Sequence, residues 1–116
     1  MYEGFALLSI QLSLGSFAYI FGCGFTIDNV RVDYGTPMYG QEWCGFATKD
    51  RVVIRENMSI NDTLQCFTHE VFHNKRIQDG TWDNNNKMNE EIMAYEYAAN
   101  SSNWDNRITR YSCVEE

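Results

Sequence analysis

The chain has 116 residues, a formal net charge of -7, and 44% hydrophobic and 15% aromatic content. That length and composition fit one folded domain over residues 1–116 with a modest core, and they exclude a disordered chain. The acidic balance excludes a nucleic-acid backbone as the main partner, because phosphate binding needs a basic surface.

Residues 4–27 carry no charge until Asp28. A membrane anchor or signal peptide is one meaning of such a segment, but no Lys or Arg precedes it. Its pattern instead has period two, the mark of half-buried strands. Leu8, Ile10, Leu12 and Leu14 alternate with Ser9, Gln11 and Ser13; a turn at Gly15-Ser16 follows; then Tyr19, Phe21, Cys23, Phe25 and Ile27 alternate with smaller residues. Phe17, Tyr19, Phe21 and Phe25 are expected in the core. Two strands are therefore the expectation for 1–27, with membrane or partner docking through 4–27 the alternative. No signal fixes the compartment; a cytoplasmic setting is the default over a membrane-associated or secreted one.

Val30–Tyr34 alternates again and ends at Gly35, and Pro37, the single proline, breaks the pattern. Trp43–Ala47 and Val52–Arg55 flank Lys49-Asp50 and predict a hairpin. The stretch Arg51–Arg55 is the candidate edge strand. A first helix is predicted from Asp62, whose capping box runs to Gln65, with Ser59 or Asn61 as alternative caps. Lys75 and Arg76 suit its C-terminus, and Gln78-Asp79-Gly80 ends it. A loop runs through Asn86. A second helix, Met88 to Asn100, carries Met88, Ile92, Tyr95 and Ala99 at helical spacing. The polar tail has Trp104, Ile108 and Tyr111 as anchors, with a short third helix as one form. Strands first and helices second predict an α+β fold, a small, mainly antiparallel sheet backed by two helices.

Cys23, Cys44, Cys66 and Cys113 show no C-x-x-C spacing, which excludes an all-cysteine zinc knuckle. Reduced, buried thiols are the expectation; spacing alone selects none of the possible disulfide pairings.

The most informative string is His69-Glu70-Val71-Phe72-His73, which holds the only two histidines in the chain. On a helix, residues four apart share a face, so both imidazoles can bind one Zn²⁺ while Glu70 acts as general base. A catalytic zinc needs a third protein ligand. The second helix offers Glu90, Glu91 and Glu96; Glu90 lies about 100° around the helix from Glu91, so only one of the two can aim at the metal, and Glu90 and Glu96 are expected as surface carboxylates. Cys66, three residues before His69, is expected as a buried helix cysteine.

This order resembles the gluzincin metallopeptidases, in which a downstream helix supplies a glutamate in the pattern E-x-x-A-[DN]. Glu91-Ile92-Met93-Ala94 fits its first four positions, while Tyr95 stands where the family has an acid or amide. The resemblance implies a minimal zincin: an active-site helix, a ligand-bearing second helix, zinc held by His69, His73 and Glu91, and hydrolysis of a protein or peptide with Glu70 as base. It also implies an edge strand that pairs with substrate backbone. The metzincin extension is excluded by Arg76 and Asp79. Gly80-Thr81-Trp82-Asp83 is close to the aspzincin pattern and keeps Asp83 as an alternative third ligand. Tyr34, Tyr39, Tyr95 and Tyr97 are the tyrosines available to polarise a carbonyl, and packing is the expected role of each. The alternative function is a catalytically inactive zincin-like module, including one within a larger viral or membrane assembly.

Overall fold

The computed structural model describes residues 19–37 and 42–110, with side chains from Gly24 onward. The order is β1 (Tyr19–Ile27), β2 (Val30–Pro37), β3 (Gly45–Ala47), β4 (Arg51–Arg55), α1 (Ile60–Gln78) and α2 (Lys87–Ala99), followed by two 3₁₀ turns, Ser101–Asn103 and Asn106–Arg110. The class is α+β, as the sequence predicts. The expected strand Leu8–Leu14, its Gly15-Ser16 turn, and Phe17, Tyr39 and Tyr111 lie outside the described residues. Among the described residues, no helix is long and apolar enough to cross a membrane, and residues 19–27 of the uncharged segment form β1.

The β1–β2 hairpin closes through Asp28 and Asn29, both at positive φ (51° and 68°). This is the backbone of a tight two-residue turn whose twist matches the flanking strands, and Asp and Asn tolerate it better than other non-glycine residues. β2 runs on to Pro37, two residues past the expected end at Gly35.

The sheet order is β1-β2-β4-β3. β1 pairs antiparallel with β2 and β3 antiparallel with β4, but β2 and β4 are parallel, from Arg31 opposite Arg51 to Gly35 opposite Arg55. The sheet is therefore mixed. Arg51–Arg55 is an interior strand, which corrects its expected place at the edge: Val52, Val53 and Ile54 are all buried because neighbours flank both sides and a helix covers one face. The short β3 takes the edge. Buried Asp33, on β2, accepts from Arg31 Nε at 3.0 Å and Arg51 Nε at 2.8 Å, so its charge is matched from its own strand and from β4.

Helix α1 lies on this sheet. Leu64 and Phe67 meet Ile27, Val32, Val52 and Ile54 in the core, closed at one end by Ile108. The helix starts two residues before expected, since Ser59 is the cap and its Oγ accepts from Asp62 N at 3.1 Å. Asn74 fixes the other end to the β3–β4 turn: its Nδ2 donates to Thr48 O at 2.7 Å and Lys49 O at 3.0 Å. The tail forms 3₁₀ turns rather than a third α-helix, with Trp104 Nε1 donating to Ala98 O at 2.7 Å.

Candidate metal centre

Helix α1 turns His69, Glu70 and His73 inward, and all three are buried. Helix α2 folds back against it, capped by Asn86, whose side chain accepts from Asn89 N. The angle of that return is set by Glu90. Its side chain is 0% exposed and forms a fork with Arg76, Nε to Oε1 at 2.5 Å and Nη2 to Oε2 at 2.8 Å. Oε2 also accepts from Asp83 N at 3.0 Å. The expectation of a surface carboxylate at Glu90 is thereby corrected; the arginine at the end of α1 supplies the charge that lets it be buried. Glu96 is exposed, as expected.

With α2 so fixed, Glu91 points between the histidines. Its Oε1 lies 3.0 Å from His69 Nε2 and 2.8 Å from His73 Nε2, and the two Nε2 atoms are 3.1 Å apart. The three donors form a nearly equilateral triangle. Ligand atoms about 2.0–2.1 Å from a tetrahedral zinc stand about 3.3 Å from one another, so the triangle is close to the face such an ion requires. Proton bookkeeping points the same way. Two imidazole nitrogens facing each other must oppose either two lone pairs or two N–H groups, unless only one carries a proton. A cation between them removes that conflict. The buried His69–His73–Glu91 group could hold a metal ion.

Burial lowers the His69 pKa, opposed by the hydrogen bond with Glu91 and assisted by His73. Burial raises Glu91, but hydrogen bonds from the two histidines outweigh it and hold the carboxyl below its ordinary value. Both shifts favour unprotonated ligands, the state a metal needs. Glu70 behaves oppositely: burial, and then the nearby Glu91 charge, push its carboxyl well above the ordinary range. Both of its oxygens are buried with no hydrogen-bond partner among the described residues.

Asp83, the alternative third ligand, does not join the group. It is exposed, and its carboxylate accepts from Asn85 N at 2.9 Å within its own loop. The imidazoles are steadied by aromatic rings. Tyr95 meets His69 edge-on at 5.6 Å, and Trp82 meets His73 at 5.2 Å. Tyr95 thus contacts a candidate ligand through its ring at the position where the gluzincin pattern has an acid or amide. Tyr97 packs on Phe72 and Tyr34 on Phe25, which agrees with packing roles. His73 Nδ1 is buried with no hydrogen-bond partner among the described residues. The spacing in sequence did not single out Trp82 or Arg76.

Cys44 and Cys66 form a disulfide that ties the residue before β3 to α1. This corrects the expectation of reduced thiols for that pair. Edge strand β3 lies directly over the site. A Cβ at Gly45 would stand 2.5 Å from Val53 O, 2.9 Å from Glu70 Cγ and 3.1 Å from Cys66 Sγ, so only glycine fits there. A cavity of about 210 Å³ opens beside His69, lined also by Cys44, Met58, Cys66, Tyr95 and Ala98.

Comparison with known protein families, curated proteins and solved structures finds no match to this chain.

Proposed function

We propose that this chain is a zinc-dependent peptidase of minimal zincin type, with His69, His73 and Glu91 as ligands and Glu70 as general base. The observation that carries the proposal is the convergence of three buried donors within 2.8–3.1 Å, beside a glutamate with no hydrogen-bond partner among the described residues. The sequence likeness to gluzincins, through His69-Glu70-Val71-Phe72-His73 and Glu91-Ile92-Met93-Ala94, supports the same assignment. Bound zinc would supply Lewis acidity and positive charge for attack of water on a carbonyl.

The chain's own groups do the remainder. Burial raises the Glu70 carboxyl well above its ordinary pKa in the metal-free chain, so a positive charge nearby, which the ligand group is suited to hold, favours its ionisation. Ionised Glu70 takes the proton of the attacking water and delivers it to the leaving amine. Among the described residues β3 is the edge of the sheet, the place where an extended peptide would add as a further strand, in place of the β4 stretch expected from sequence. The cavity beside His69 can take a substrate side chain.

A second reading is favoured by one specific observation. Glu70 is 0% exposed and His69 and His73 are 2% and 4% exposed, a degree of closure that suits a structural metal as well as a catalytic one. Turnover separates the two. Purified wild type should hold one zinc and cleave a mixed peptide panel; Glu70→Gln should keep the zinc and lose cleavage; Glu91→Ala should lose the zinc. Undiminished proteolysis by Glu70→Gln refutes the mechanism, and stoichiometric zinc in a wild type that cleaves nothing selects the structural role.

A further inference from the structure

The disulfide and Glu70 together form a second constellation. The Sγ atoms of Cys44 and Cys66 and a carboxylate oxygen of Glu70 all lie within 4.8 Å of one another. Independently, both Glu70 oxygens are buried and have no hydrogen-bond partner among the described residues, so a buried carboxyl group is left unsatisfied beside the two sulfurs. The Cα atoms of the two cysteines are 6.1 Å apart. Cys44 is half-buried, and both cysteines line the cavity beside His69, which gives small reagents and ions a route to them. We infer that, in the reduced protein, Cys44, Cys66 and Glu70 form a second metal site, a two-thiolate, one-carboxylate set for a soft or borderline divalent cation such as Zn²⁺ or Co²⁺.

The chemistry balances with a dithiol as reductant. Its two thiols deliver two electrons and two protons to the Sγ–Sγ bond, which breaks to give the Cys44 and Cys66 thiols, and the dithiol leaves as its cyclic disulfide. Binding of the cation then releases both thiol protons to solvent, since thiolates are the ligands. Oxidised, the pair offers no thiolate and Glu70 keeps no hydrogen-bond partner among the described residues. Reduced and loaded, the pair and Glu70 share an ion. The thiol state thereby decides whether Glu70 is available to the neighbouring histidine site. The cysteines are not members of the His69–His73–Glu91 group, and the inference does not depend on peptidase activity.

The test is Co²⁺ binding to the full chain carrying His69→Ala and His73→Ala, oxidised or reduced with dithiothreitol, which is then removed without air. The reduced protein should take up one equivalent and show thiolate-to-cobalt charge-transfer absorbance; the oxidised protein should do neither. Cys66→Ser should abolish the band, and Glu70→Gln should weaken Co²⁺ affinity at least about tenfold, as expected for loss of a ligand. If the double-histidine variant does not fold, wild type serves: reduction should add one equivalent of Co²⁺ and the same band. Reduced protein with titratable free thiols and no band overturns the inference, as does extra Co²⁺ bound without thiolate absorbance.

Discussion

Glu70→Met should stabilise the metal-free, oxidised protein while destroying the proposed activity. Wild type buries a carboxyl at 0% exposure whose two oxygens have no hydrogen-bond partner among the described residues. A buried polar group without a partner costs about 1–3 kcal/mol. Met has nearly the same length and flexibility and no such group, so the variant should gain about that amount. For a domain of this size the gain corresponds to a rise in Tm of about 4–12 °C. The gain should also depend on pH. Burial, then Glu91, raise the folded-state carboxyl pKa, whereas the unfolded chain ionises near about pH 4.3. Wild-type stability is therefore fully present below that pH and declines as pH rises toward the folded value; the variant lacks this decline. Urea unfolding of both chelator-treated proteins at pH 4 and pH 7 measures the gap, which should widen with pH. A variant less stable than wild type at pH 7, or a gap that does not widen, would show that Glu70 makes stabilising contacts in the metal-free fold and refute the reasoning.

Three further outcomes follow from individual contacts. Asn74→Ala removes two hydrogen bonds to the β3–β4 turn and should cost about 1–3 kcal/mol in urea unfolding; a loss under about 0.5 kcal/mol would mean the turn does not hold the helix. Arg76→Met strands the fully buried Glu90 carboxylate, whereas Glu90→Gln leaves Arg76 able to turn to solvent. The urea midpoint should fall further for the first variant, and the reverse order would contradict the proposed role of the fork. Burial pushes the Asp105 carboxyl up, but hydrogen bonds from Arg107 outweigh it and hold the pKa below its ordinary value. The associated stability is present above about pH 3.9 and lost as pH falls through the folded value. Asp105→Asn should thus be less stable than wild type at pH 6, with the difference gone in strong acid; a constant difference across pH would exclude charge as its source.

The sequence made the site more legible than the sheet. Helical periodicity brings His69, Glu70 and His73 to one side of α1 by local rules alone, while the choice of Glu91 on the second helix rests on the likeness of Glu91-Ile92-Met93-Ala94 to the gluzincin pattern. The parallel pairing of β2 with β4 is a non-local choice, and alternation within one strand carries no information about its partner. A signal was nonetheless present at Val52-Val53-Ile54, three consecutive apolar residues of the kind an interior strand needs. Ser59 outcompetes Asp62 as cap because either polar side chain can start a helix and the preceding loop decides which does. The burial of Glu90 was hidden by its charge; only the arrival of Arg76 from the end of α1 makes it tolerable. The Cys44–Cys66 bond depends on β3 crossing α1, which spacing cannot express.

The Arg76–Glu90 fork has a kinetic consequence as well. All three candidate ligands and Glu70 lie between residues 69 and 91, on one helical hairpin. An ion held there need not await global unfolding in order to leave, because local parting of α1 from α2 is sufficient. The fork sits at the closed end of that hairpin, where parting would swing Glu91 away from both imidazoles. Its strength would then govern the residence time of the ion, while the histidines and Glu91 govern which ion is chosen.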